Sequence, residues 1–236
     1  MLVLGLDTGA DGGIVVLSAV SETAEVLPVF AASWHEAGRW SASWTGREAP
    51  TGRRAGADTL VGVIVRLARF GLAKELPGPV DAVVFEGAYV GVNVRSALSG
   101  TRTCGRILGA LESELWISRT VEVRELPNGS WWKLCGLPPS ITTRDDRKEE
   151  SVRRVPTLIP GLRGLMNQIP GGDHVSDAAA LAWVGVRHGA HRGTDREWEA
   201  RIALASGRKA KCRKVAKVEG GEVAPAPAKR RTRTAR

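Results

Sequence analysis

Residues 2–17 (LVLGLDTGADGGIVVL) constrain the fold more than any other stretch of the chain. An apolar run ends in one carboxylate, Asp7, a glycine-rich turn follows, and a second apolar run begins. An unbroken apolar run of this length reads as a strand buried on both faces, the signature of a position inside a sheet. Gly9, Gly12 and Gly13 supply the backbone freedom for a tight hairpin, so the second strand is expected antiparallel beside the first. Asp7 then sits where a central strand runs out, the region in which α/β sheets bind ligands. A buried carboxylate is costly without a cation or donors to meet it. On this segment alone, Asp7 reads equally as a turn cap or as a ligand, and the rest of the chain must supply its partners.

The continuation predicts an α/β layer fold, a mixed sheet with its first three strands antiparallel and later strands parallel, flanked by helices. Residues 25–31 read as a third, edge-type strand that tolerates Pro28. Residues 33–54 read as irregular, carrying Trp34, Trp40 and Trp44 among Arg39, Arg47, Arg53 and Arg54. Such a mixture either stacks bases and holds phosphates or folds back onto the core. Helical periodicity marks 58–76 and 93–116, with Asp58 as an N-cap, and 80–86 is a second apolar strand ending in an acid, Glu86. Residues 120–126 alternate like a strand with one wet face, 127–137 form a short helix, and 145–155 a charged helix. Residues 156–172 read as a Pro- and Gly-rich loop before a last strong helix over 173–189, with Asp173 as its N-cap. Gly100, Gly105 and Gly109 on the second long helix permit either close approach of another helix or packing on the sheet.

Charge and cysteines narrow the setting. The net charge is +9, and residues 207–236 hold 11 basic against two acidic residues, which accounts for all of it. The remaining 206 residues balance at 23 of each sign. A tail so poor in apolar residues is expected to be disordered, either drawn to nucleic-acid phosphates in a salt-dependent way or solubilising. The expected organisation is one domain over 1–206, with 33–54 as an insert, and a basic tail over 207–236. No apolar run approaches the ~20 residues that span a bilayer, and the start lacks the pattern of a signal peptide. Cys104, Cys135 and Cys212 show no metal-ligand spacing and fit reduced thiols, so a cytoplasmic setting without membrane attachment is expected.

Two strands end in acids, and if the later one joins the sheet beside the first, right-handed crossover puts Asp7 and Glu86 on one edge. His174 and Asp177, three apart, share one face of the first turn of the last helix. Each acid alone is well explained as a cap. Together, three carboxylates and an imidazole repel themselves unless a divalent cation holds them, and hard oxygen ligands suit Mg²⁺ or Mn²⁺. Paired ions of this kind serve in-line attack on a phosphodiester. His188 and His191 read as solvated, or as favourable with the helix dipole, rather than catalytic.

These residues resemble a known family. GLDTG at 5–9, EGAY at 86–89, NVRSAL at 93–98 with Gly105 seven residues later, RK at 147–148 and HVSDAAALA at 174–182 together resemble RuvC-type Holliday-junction resolvases of the RNase H-like superfamily. The contiguous spacing from Glu86 to Gly105 is the most specific part, and the resemblance covers roughly residues 1–190. It implies an RNase H-like nuclease fold with Asp7, Glu86 and Asp177 as metal-binding acids. His174 falls where members carry Asp or His, as a fourth ligand, and two ions per site are implied. Tyr89 matches an aromatic wedge at the junction crossover, Asn93 and Ser96 match polar residues near the DNA backbone, and Lys148 matches a basic residue at the scissile phosphate. The implied activity is a metal-dependent endonuclease resolving four-way junctions by paired symmetric nicks, leaving 5′-phosphate and 3′-hydroxyl ends, with a twofold homodimer. The 33–54 insert and the tail depart from the family pattern and fit a phage or viral-type member. An RNase H-like nuclease acting on other branched DNA or RNA–DNA hybrids shares the acids. An actin-like ATPase fragment shares the opening hairpin, but no duplicate of residues 1–17 appears.

Overall fold

The structure, a computed structural model, describes residues 1–8, 11–34, 39–44, 51–53, 80–87, 94–113, 121–127, 129–141 and 143–207. The strands are β1 (Leu2–Asp7), β2 (Gly12–Ala19), β3 (Val26–Trp34), β4 (Arg39–Trp44), β5 (Thr51–Arg53), β6 (Ala82–Glu86) and β7 (Glu122–Leu126). Among these residues the helices are α1 (Val94–Ser113), α2 (Ser130–Leu134), α3 (Arg144–Leu158), α4 (Leu162–Met166), α5 (Gly172–Arg187) and α6 (Asp195–Ala205). The strands form one seven-stranded sheet in the order β5-β4-β3-β2-β1-β6-β7. Pairing from β5 through to β1 is antiparallel, whereas β1–β6 and β6–β7 are parallel. The expected mixed sheet flanked by helices is therefore present. The helix expected over 58–76 and the tail beyond 207 lie outside the described residues.

Strand alternation sorts the core into two layers, one on each face of the sheet. Leu2, Leu4 and Leu6 of β1 point with Ile14, Val16, Phe30 and Trp34 toward Ile107 and Ala110 of α1. Val3 packs on the opposite face with Val15, Ala82, Val84 and Leu126 against Val175, Ala178, Ala179 and Ala182 of α5. Gly5 continues that second face, and it lets the helix lie directly on the strand. A β-carbon on Gly5 would come within 2.6 Å of the Ala182 amide nitrogen and closer still to the Ala178 carbonyl oxygen. One on Gly13 would meet the His174 carbonyl oxygen at 2.6 Å. α5 is thus seated on β1 and β2 by two missing side chains, and its first turn lies over the end of β1.

Several expectations are corrected. The described parts of 33–54 are strand rather than irregular: β3 runs on to Trp34, and β4 and β5 extend the sheet, while 35–38, 45–50 and 54 lie outside the described residues. Trp34 is fully buried, whereas the side chains of Trp40 and Trp44 lie outside the described residues. α3 continues through Pro156 to Leu158, and α4 occupies part of what read as loop. Asp173 does not cap α5. The N-cap is Gly171 in the left-handed region (φ 83°), and Asp173 lies in the first turn. β7 alternates, but Arg124 faces inward and Val123 outward, because α6 and its approach supply the partners of a buried guanidinium. Arg124 pairs with Asp195 and with Glu122 (2.8 Å), and its Nε donates to the Ala190 carbonyl at 3.0 Å. His188 is half-buried, and burial pulls its pKa down, against a dipole-stabilised imidazolium. The His191 Nδ1 atom is buried rather than solvated. Gly105 and Gly109 are exposed, and a β-carbon at either would meet no described residue within 4 Å, so they do not pack on the described sheet.

Among the described residues, Cys104 and Cys135 are free and buried, and burial pushes their thiols up to about 11 and about 12. No helix among these residues is long and apolar enough to cross a membrane.

Candidate active site

The parity of each strand decides which side chains meet α5. Val3, Gly5 and Asp7 share one face of β1, while Ala82, Val84 and Glu86 share the same face of β6. The parallel register pairs Leu6 with Phe85, so Asp7 and Glu86 follow one another at the same end of adjacent strands. The glycine-mediated seating of α5 then brings His174 and Asp177 over that end. Four of the residues picked out from sequence, Asp7, Glu86, His174 and Asp177, therefore belong to one cluster.

Each member is held by named donors. His174 Nδ1 lies 2.8 Å from Asp7 Oδ2. Glu86 Oε1 accepts from the Gly129 amide at 2.7 Å and from the Trp131 indole Nε1 at 3.1 Å. Asp177 Oδ1 accepts from the Ser151 hydroxyl on α3 at 2.7 Å, and Ser151 also lies 3.0 Å from the Ser176 hydroxyl.

The electrostatics are those of crowded acids. Burial pushes Asp177 up to about 7, with further upward pressure from the charges of Asp7 and Glu86. Burial also raises Glu86, and the Asp7 charge adds to it, against the two N–H donors that lower it. The hydrogen bond to Asp7 raises His174, outweighing the desolvation that opposes it. A low-dielectric site with this much negative charge resists full ionisation, and a cation relieves it.

The donor chemistry fits a hard divalent ion: carboxylate oxygens with one imidazole among them. As they stand, no three His, Cys, Asp or Glu side chains among the described residues form a ready-made ligand cage. Asp7 and His174 are instead engaged with each other.

Lys148 is brought to the border of this cluster and not into its centre. Its Nζ pairs with Asp173, whose carboxylate also lies 3.7 Å from His174 Nε2. Burial pushes Asp173 up, but the Lys148 hydrogen bond and the charges of His174 and Lys148 outweigh it and hold the carboxyl below its ordinary value. Tyr89 and Asn93 lie outside the described residues. Ser96 lies in the first turn of α1, and its side chain is likewise outside them.

Sequence reasoning missed Gly129, Trp131 and Ser151 as partners of the acids, and Asp173 as the partner of Lys148. Ser151 meets Asp177 across 26 positions and Trp131 meets Glu86 across 45, with no local signal connecting either pair. The parallel β6–β7 pairing, which sets Leu126 beside Glu86, brings Gly129 and Trp131 to that acid.

No family model and no curated protein matches the chain. Among solved structures, it is similar to Thermus thermophilus RuvC, both free and in complex with a Holliday junction substrate. Each comparison gives 17% identity and a TM-score of 0.47, covering 80% of this chain and 94% of that one. It is also similar to the yeast mitochondrial Holliday junction resolvase, at 15% identity and a TM-score of 0.40, covering 87% of this chain and 81% of that one.

Proposed function

We propose that this chain is a divalent-metal-dependent endonuclease that cuts branched DNA, four-way junctions foremost, by phosphodiester hydrolysis. The observation that carries the reading is the convergence of Asp7, Glu86 and Asp177 with His174 at one end of β1 and β6, in mutual electrostatic conflict. The motif resemblance over residues 1–190 supports the substrate class.

Asp7, Glu86 and Asp177, with His174, would hold Mg²⁺ or Mn²⁺, two ions in the full site. Such ions supply Lewis-acid stabilisation of the phosphodiester and a nucleophilic water at neutral pH. Asp7 lies between Glu86 and His174 and is the acid best placed to serve both sides of the centre. Its partner His174 fixes one Asp7 oxygen through Nδ1. Lys148, at the margin beside Asp173, provides a cation for the phosphate backbone. Tyr89 is assigned to the junction crossover, and Asn93 and Ser96 to the adjoining backbone. The basic tail contributes sequence-independent attraction to DNA. Two symmetric nicks, each leaving a 5′-phosphate and a 3′-hydroxyl, require two sites related by a twofold axis, hence a homodimer. This reading places the enzyme in the cytoplasm of a bacterium or of a phage-infected host, with residues 1–206 as the nuclease domain.

A substrate comparison tests the assignment. Four-way junctions, flaps and RNA–DNA hybrids are offered at equal concentration with Mg²⁺ or Mn²⁺. Preferential cutting of junctions is expected. Preferential cutting of hybrids would move the chain to a different RNase H-like activity.

A further inference from the structure

We propose that Trp131 is a positioning residue for the metal centre, its indole N–H fixing which oxygen of Glu86 faces the cation. The assignment rests on the metal-dependent reading above. Among the described residues, the hydrogen bonds to Glu86, from Gly129 and from Trp131, both fall on Oε1. The same division holds at the other acids: Oδ2 of Asp7 is engaged by His174 and Oδ1 of Asp177 by Ser151. Among the described residues each carboxylate is thus anchored through one oxygen, and the other is the one turned to an ion.

The chemistry of the anchor matters. A lysine or arginine on Glu86 would offset its charge and weaken it as a ligand. A neutral N–H orients the carboxylate while leaving its full charge for the cation. Trp131 is itself fixed. It is buried and packs edge-to-face on Trp132 with ring centroids 5.6 Å apart. Trp132 is held in turn by donating from Nε1 to the Pro138 carbonyl at 3.1 Å. Gly129 takes the left-handed conformation (φ 68°) that turns the chain over Glu86 after β7, and the Ser130 amide closes that turn on the Pro127 carbonyl at 2.9 Å. A phenylalanine would satisfy the packing at 131, whereas only the indole also supplies the donor.

The test measures Mn²⁺ binding directly, by calorimetry on the full chain without DNA. Partners that orient metal ligands typically contribute one to two orders of magnitude in affinity, and the Gly129 amide remains, so Trp131→Phe is expected to weaken Mn²⁺ binding about tenfold. In a Glu86→Gln background the same substitution is expected to change nothing, because its effect passes through Glu86. Equal affinity in wild type and Trp131→Phe overturns the proposal, as does an equal loss in both backgrounds, which would mark a merely structural role. A second measurement needs no variant: Mg²⁺ is expected to shift the Trp131 indole N–H resonance, and an unmoved signal at saturation overturns the assignment. Absence of any Mn²⁺ binding by the wild type is a separate outcome. It would overturn the metal reading itself and this assignment with it.

Discussion

Replacing Asp177 by asparagine tests the electrostatic conflict in the acid cluster through stability alone. The carboxyl is raised from 3.8 to about 7, chiefly by burial and then by the charge of Asp7. Well below pH 3.8 it is neutral in both the folded and the unfolded chain and carries no penalty. Between pH 4 and 7 the unfolded chain gives up its proton while the folded chain retains it, so stability falls as pH rises. Above pH 7 the penalty is constant, and about three pKa units correspond to a ceiling of about 4 kcal/mol. Asp177→Asn removes the charge and keeps an oxygen to accept from Ser151. Even half of the ceiling, about 2 kcal/mol, raises Tm by about 4–8 °C in a chain of this size. Thermal melts of the metal-free protein from pH 4 to 8 read this directly. The variant's advantage is expected to be small at pH 4, to grow through pH 7 and then to level off. Millimolar Mg²⁺ is expected to narrow it by stabilising the wild type more than the variant. A Tm difference independent of pH would refute the argument that Asp177 is held against its own ionisation.

Two further outcomes follow from other parts of the chain. Gly5→Ala drives a methyl into the backbone of α5, so it is expected to cost about 3 kcal/mol or more, whereas Gly109→Ala, at an exposed position with no described residue within 4 Å, is expected to be neutral or slightly stabilising. Chemical denaturation of the two variants checks the contrast. Deleting residues 207–236 removes the whole net charge of +9 and is expected to weaken non-specific DNA binding and flatten its salt dependence, measured by titration across ionic strengths. An unchanged slope would leave the tail a solubilising role.

The parts legible in sequence were those whose burial is written locally. β1, β2 and β6 are continuous apolar runs because both faces are covered, and α5 carries its small apolar stripe at helical spacing. Asp7, Glu86, His174 and Asp177 were legible because each stands at the end of such an element. β4 was not legible because its inward residues include Ser41 and Ser43. A buried serine looks polar until its acceptor is known. Ser43 donates to Gln168 Oε1 at 2.5 Å, and Ser33 on β3 to the Pro170 carbonyl at 2.5 Å, both far along the chain. α6 did leave a signal. Thr194 and Glu197 form a reciprocal capping box, but the charged residues that follow blur the apolar face carried by Trp198 and Ile202. Asp173 read as a cap because Lys148, its actual partner, comes from another helix.

The central claim is that the Asp7, Glu86, His174 and Asp177 cluster hydrolyses DNA at a branch point. Its most direct test is nick mapping on a synthetic four-way junction with Mg²⁺ or Mn²⁺, comparing wild type with Asp7→Asn. The account predicts paired symmetric nicks with 5′-phosphate ends from the wild type. Asp7→Asn should still bind the junction but cut it at least a thousandfold more slowly (on the order of 4 kcal/mol of lost transition-state stabilisation). Undiminished cutting by Asp7→Asn, or an intact junction after incubation of the wild type with either metal, would contradict it.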